Sequence, residues 1–197
     1  MYEEPPYKVV DDFLPLLYHK QLQGVLCSPE HPWYFQSNIT SDQEGVLGGF
    51  GLNAWVIRHD YPNEIAKGHG ASSISEMIMP LCLTIQEFIG AKSIAKVRCD
   101  MTLYNPNVHK HQPHIDISHK PHIASVYYVN DSDGNTVLYK QRAKVDDPST
   151  FPKQLDVLTE IEPKANRLLI FDGSLIHTGH SPSKNNNRVI INSDYYI

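Results

Sequence analysis

The sequence predicts a mainly β fold, a sandwich or barrel with helices packed against its outside. Three observations predict it. Short runs rich in β-branched and aromatic residues, separated by turn formers, fill the C-terminal half. Two helix-period segments precede those runs. From Ile94 onward the hydrophobic period changes from helical to strict alternation. With 197 residues and 41% hydrophobic content, one domain spanning 1–197 is expected, its motif-bearing core at about 94–197.

The first helix is expected to start at Asp11-Asp12, where a carboxylate accepts from the open N–H groups of a first turn and Pro15 is tolerated. Leu16, Leu17, Leu22, Val25 and Leu26 then share a face up to Ser28-Pro29. Trp33–Ile39 and Leu52–Arg58 read as strands around a glycine-rich stretch, Gly45 to Gly51. A second helix over Ser73–Ile89 carries Ile74, Met77, Ile78, Leu81, Ile85 and Phe88 on one stripe. Pro80 should kink it and Gly90 should end it.

In the strand that follows, Ala95, Val97, Cys99, Met101 and Leu103 fall on one face and Arg98, Asp100, Thr102 and Tyr104 on the other. Further strands are expected at Gln112–Ile117, Ile123–Asn130, Thr136–Lys140, Asp156–Ile161, Arg167–Phe171, His177–His180 and Val189–Tyr196. Turn formers such as Asn130-Asp131-Ser132-Asp133-Gly134 separate them.

Composition narrows the function. A net charge of -5 and a pI near 6.1 argue against a broad nucleic-acid surface, which depends on lysine and arginine releasing counterions. Cys27, Cys82 and Cys99 are an odd set without metal or disulfide spacing, and read as small buried residues. The start of the chain has no basic-then-apolar leader pattern, and no apolar run is long enough to span a bilayer, so a cytoplasmic protein with no membrane partner is expected. Oligomeric state leaves no mark in the sequence.

Histidines concentrate in the C-terminal half, and His114-Ile115-Asp116 is the sharpest local feature. On a strand, residues i and i+2 project to one face and reach one ion. A third imidazole follows at His177, with His180 as the alternative. His177 is favoured by the Asp172-Gly173-Ser174 turn before it and by its spacing from Arg188. Two imidazoles and a carboxylate leave coordination positions open, which suits non-haem iron better than a closed zinc site. Arg188 shares a strand face with Ile190, Asn192 and Asp194; a guanidinium directed into an apolar barrel calls for a carboxylate partner. His109 and His111 are expected at the site entrance, His119 and His122 at the surface, and Trp33 and Trp55 in the core.

From about Val97 to Tyr196 the chain resembles the Fe(II)/2-oxoglutarate-dependent dioxygenase superfamily, in its prolyl-hydroxylase-like branch, which includes small phage-encoded members. The resemblance lies in the order Leu103-Tyr104, His114-Ile115-Asp116, Val126-Tyr127-Tyr128-Val129-Asn130, Asp133-Gly134-Asn135-Thr136, Ile161-Glu162-Pro163, Asn166 through Gly173, His177 and Arg188. Val10 to Pro15 resembles the usual opening of such domains. It implies a double-stranded β-helix core of the jelly-roll or cupin kind. It also implies Fe(II) on His114, Asp116 and His177, 2-oxoglutarate as co-substrate held by Arg188 and Tyr104, O2 as oxidant and ascorbate as a further candidate ligand. Tyr128 is a second candidate for the 2-oxoglutarate carboxylate and equally a packed core tyrosine, since two fewer residues separate it from the H-x-D than in relatives. The implied reaction is hydroxylation of an aliphatic C–H bond, on a prolyl or other residue of a protein or peptide, or alternatively on a small molecule or free amino acid. A non-catalytic metal-binding barrel is the remaining reading. A phage-encoded member would act in its host's cytoplasm.

Overall fold

The structure, a computed structural model, describes residues 6–40, 49–144 and 147–197. In chain order its elements are β1 (Tyr7–Val10), α1 (Leu16–Leu26), β2 (Tyr34–Gln36), β3 (Gly51–Ile57), α2 (Ser75–Ile89), β4 (Ser93–Leu103), β5 (His122–Tyr128), β6 (Thr136–Arg142), β7 (Val157–Ile161), β8 (Arg167–Asp172), β9 (Leu175–Gly179) and β10 (Asn187–Tyr196), with a 3-10 turn at Pro148–Thr150. A large antiparallel sheet runs β1-β8-β5-β10-β4-β3-β2, and a small one runs β7-β6-β9. Short bridges, Lys110 to His180 and His114 to His177, attach the H-x-D segment to the free side of β9. This is the double-stranded β-helix arrangement expected from the sequence.

Alternation gives the large sheet two different faces. Outward, Val97, Cys99, Tyr127, Leu168, Val189 and Ile191 form one apolar cluster with Leu22 and Leu26 of α1 and Ile78, Leu81 and Ile85 of α2. That face is why the helices lie outside. Inward, Ala124, Val126, Tyr128, Leu169, Phe171 and Ile190 meet Leu138, Ile161 and Leu175 of the small sheet.

Several expectations are corrected. Helix α1 starts at Leu16, after Pro15, because Asp12 takes a left-handed turn (φ 51°) and Asp11 is drawn to Arg167 at 2.6 Å instead of capping the helix. Strand β1 was not legible; its four residues pair with β8. Gln112–Ile117 is no continuous strand; its backbone pairs with β9 at the single bridge His114 to His177. Ala95 leaves the main core face because a register shift beside Asp194 and Tyr195 turns it toward Ile117 and Tyr196. Cys27 is exposed rather than buried. Helix α2 runs through Pro80, with the Thr84 hydroxyl donating to the Pro80 carbonyl at 2.8 Å, and ends at Gly90 in the left-handed region (φ 67°). The glycine-rich stretch expected from Gly45 lies outside the described residues as far as 48, as does Asp146 of the loop before β7. Among the described residues, no helix is long and apolar enough to cross a membrane.

Candidate metal centre

Strands β4 and β10 set one wall of the site. Their pairing brings Arg188 opposite Thr102, Ile190 opposite Asp100, Asn192 opposite Arg98 and Asp194 opposite Lys96. All eight lie on the inward face, so the polar side of β4 lines an interior and not the solvent. The other wall is the H-x-D segment and β9. His114 and His177 exchange both backbone hydrogen bonds (2.9 and 3.0 Å), which puts their rings 4.5 Å apart between centroids.

Ligating atoms of His114, Asp116 and His177 all lie within 4.8 Å of one another. Each imidazole Nδ1 contacts the carbonyl two residues back, Gln112 at 3.0 Å and Leu175 at 3.1 Å. A carbonyl only accepts, so both Nδ1 atoms carry the proton and both Nε2 lone pairs remain free to ligate. Burial, reinforced by the neighbouring His177, pulls the pKa of His114 down to about 4 and keeps that ring neutral. Burial alone would lower His177 too, but the adjacent Asp116 carboxylate raises it. Asp116 Oδ2 lies 3.2 Å from His177 Nε2 without hydrogen-bond geometry and is otherwise unpartnered. An orphaned buried carboxylate oxygen beside two bare imidazole nitrogens is a donor set that fits a divalent metal.

Sequence reasoning missed Lys96. Its ammonium lies 2.5 Å from Asp116 and 2.9 Å from Asp194, with all three side chains nearly enclosed. Burial opposes charge on both acids; at Asp116 it is outweighed by Lys96 together with His177 and His114, and the pKa falls well below the usual carboxylate range, while Asp194, facing Asp116 as well, is raised. Continuing the alternation of Arg98, Asp100 and Thr102 one step back would have found it. His122, expected at the surface, is buried: its Nε2 is 3.8 Å from Asp194 and its ring packs against Gly173, where a Cβ would come within 2.2 Å.

At the other end of the cavity Arg188 is 5% exposed, and among the described residues no carboxylate forms an ion pair with it. One Nη donates to the Thr136 hydroxyl at 2.7 Å, and its Nε has no partner. The Tyr128 hydroxyl donates to that same oxygen at 2.7 Å. Thr136, accepting twice, keeps its own proton to offer a ligand. Burial lowers the pKa of Arg188. Gly134 lets the turn before β6 pass close over the arginine, since a Cβ there would lie 3.0 Å from Arg188 Cδ and 2.5 Å from a backbone oxygen.

The structure therefore gathers His114, Asp116, His177 and Arg188 around one cavity, with Tyr128 at its arginine end. Tyr104 is not gathered there: it follows the last residue of β4, is 53% exposed and lies off the cavity wall. His180 stays outside the triad, beside Lys110. His111 does line the cavity, its ring nitrogens unpartnered and its pKa pushed down to about 3 by burial and by His109. Trp55 is not core; it lies under Arg58 and Arg98, while Trp33 packs partly buried against the main core.

No protein-family model matches this sequence. No curated protein matches it either. Solved structures do match the fold. A prolyl hydroxylase from Trichoplax adhaerens, in complex with a hypoxia inducible factor oxygen degradation domain peptide fragment, superposes with a TM-score of 0.61 at 18% identity, over 97% of this chain and 83% of that one. A Pseudomonas putida prolyl-4-hydroxylase gives a TM-score of 0.53 at 15% identity, over 98% and 93%. The epimerase SnoN, in complex with Fe3+, alpha ketoglutarate and nogalamycin RO, gives 0.62 at 12% identity, over 97% and 78%. The fold is thus that of the 2-oxoglutarate-Fe(II) oxygenases.

Proposed function

We propose that this protein is an Fe(II)- and 2-oxoglutarate-dependent oxygenase that hydroxylates an aliphatic C–H bond, on a prolyl or other residue of a polypeptide. One observation carries the reading: a two-histidine, one-carboxylate cluster and a buried, carboxylate-free arginine open onto the same cavity.

In this reading His114, Asp116 and His177 hold iron through two neutral nitrogens and one carboxylate oxygen. The bound metal and 2-oxoglutarate supply the oxidation of the substrate C–H bond by O2. The chain's own residues orient and select. Arg188 receives the distal carboxylate of 2-oxoglutarate, assisted by the Thr136 hydroxyl, and Tyr128 positions Thr136 by donating to it. The apolar Val126 and Ile190 flank the path between arginine and triad and keep water from it.

A polypeptide substrate is supported by the two prolyl hydroxylases among the structural neighbours, one of them solved with a peptide. A small-molecule substrate is the second reading, supported by SnoN. The deciding assay follows succinate formation and a mass gain of about 16 daltons on candidate peptides and small molecules, the increment of one inserted oxygen. His114→Ala and Asp116→Ala should abolish substrate-driven succinate, a loss beyond the roughly 100-fold that removal of an outer metal partner brings. Arg188→Ala should chiefly raise the Michaelis constant for 2-oxoglutarate; an unchanged constant overturns the assignment of that residue.

A further inference from the structure

A cavity of about 690 Å³ lies apart from the void beside the triad. It crosses one end of the large sheet, meeting the strands in their sheet order: Tyr7 and Lys8 of β1, Asp172 of β8, His122 and Ile123 of β5, and Ile197 just past β10. Neighbouring strands stand about 4.8 Å apart, so a groove over four strand ends is roughly 15 Å long, the span of four or five extended residues. It runs behind the metal centre: Ile117 follows the ligand Asp116, and the Phe171 ring packs on His177 at 4.9 Å.

Floor and rim differ in chemistry. Phe88, Ile117, Ile170 and Phe171 give an apolar floor. Lys8, Lys120 and Lys144 give an exposed basic rim, and among the described residues none of them forms an ion pair. Two are braced by their surroundings: Lys8 lies 4.6 Å over the Phe88 ring and Lys120 3.9 Å over Tyr196. Asp172, the one acidic side chain of the lining, is taken up by Arg142. A chain with a net charge of -5 thus gathers, among the described residues, cations without an ion-pair partner around this apolar cavity. Strand β1 also ends the large sheet among the described residues, and a sheet edge of this kind is what an extended peptide uses.

We propose that this groove binds an acidic stretch of polypeptide, with its apolar side chains on the floor and its carboxylates against Lys8, Lys120 and Lys144. The proposal deepens the oxygenase reading, on which it rests for its role, by naming the substrate class: a polypeptide that docks an acidic segment in this groove while a different residue is oxidised at the metal centre.

The test uses the full chain and a fluorescein-labelled dodecapeptide of alternating glutamate and leucine, followed by anisotropy. Binding should weaken at least tenfold when Lys8 and Lys120 are both changed to glutamate, and should fall with added salt. A lysine-leucine peptide should not bind. Lys120→Gln and Lys144→Gln, surface changes that leave the core untouched, should each weaken binding by a smaller factor. Wild-type affinity in the charge-reversed protein overturns the proposal. So does displacement by inorganic phosphate at the peptide's own concentration, or tighter binding to anionic phospholipid vesicles than to the peptide. His114→Ala should leave anisotropy unchanged, which keeps the two readings apart. Succinate turnover without peptide binding overturns the groove alone, and peptide binding without any 2-oxoglutarate turnover overturns the oxygenase reading alone.

Discussion

Strand β10 faces two environments, and its residues divide between them one by one. Val189, Ile191 and Tyr195 enter the apolar core under the helices, each fully buried. Of their neighbours, Arg188 and Asn192 enter the interior cavity and Asp194 the enclosed ion cluster with Lys96, and each keeps a buried polar atom without a hydrogen-bond partner. Hydrophobic burial on one side therefore holds in place a set of groups on the other that burial would penalise. The outward face specifies the fold, and the inward face uses the resulting rigidity to hold charge where a ligand can meet it.

The comparison breaks most severely at Lys96. Removing one member of a buried ion cluster leaves the others uncompensated, at a cost of about 3–5 kcal/mol. Lys96→Met should therefore destabilise the protein by that amount in chemical denaturation, because Asp116 and Asp194 lose their shared cation. The double variant Lys96→Met with Asp194→Leu should recover much of the loss, since it withdraws one of the two stranded acids. A Lys96→Met protein as stable as the parent would show that the cluster contributes nothing to the fold.

Adjacent positions on β10 sharpen the contrast. Ile191→Ala removes a fully buried side chain from the helix-covered core and should cost about 3 kcal/mol. Asn192→Ala, one residue on, removes a side chain whose Oδ1 is already unpartnered and should cost under about 1 kcal/mol. Matched urea titrations of the two variants measure the difference directly. Equal losses would mean that the cavity face is packed as tightly as the core.

The same division explains what the sequence revealed. Alternation in β4 and β10 was readable because both faces obey it, so the placement of Arg188, Ile190, Asn192 and Asp194 on one side agrees with the observed register. His114 and Asp116 meet His177 even though no regular strand carries them, since the i and i+2 relation survives in an extended segment bridged to β9. Lys96 escaped notice because a lysine within a strand reads as solvent-facing, and only the pairing with Asp194 encloses it. Strand β1 escaped because four residues of half-exposed pattern carry almost no period; its pairing with β8 is a tertiary fact. Tyr104 was assigned through the family resemblance and the polar face of its strand, but β4 ends at Leu103, one residue before it, and the tyrosine lies exposed off the cavity wall. His122 read as surface because it adjoins a lysine-proline turn, whereas Gly173 makes room for its ring in the interior.

The smallest effect belongs to the loops that join the faces. Asp133, in the turn after β5, accepts backbone hydrogen bonds from Ser183, Lys184 and Asn185 ahead of β10, together with one from the Ser183 hydroxyl. Burial would raise its pKa, but these donors favour the charged form and bring it down to about 2 from an ordinary 3.8. A depressed carboxylate stabilises the fold above its unfolded value and stops doing so as pH falls through the folded one. The contribution is therefore complete above pH 3.8 and fades toward pH 2. Asp133→Ala should lower stability at neutral pH by about 1 kcal/mol, comparable to losing a helix cap. It should also flatten the acid limb of the stability profile between those two values. Because Asp133 adjoins Gly134, which passes over Arg188, the variant should loosen the arginine's surroundings while leaving the triad in place. A raised Michaelis constant for 2-oxoglutarate with unchanged metal affinity would place the effect at the arginine end of the cavity, and a joint loss of both would show that the two ends are held by the same turn.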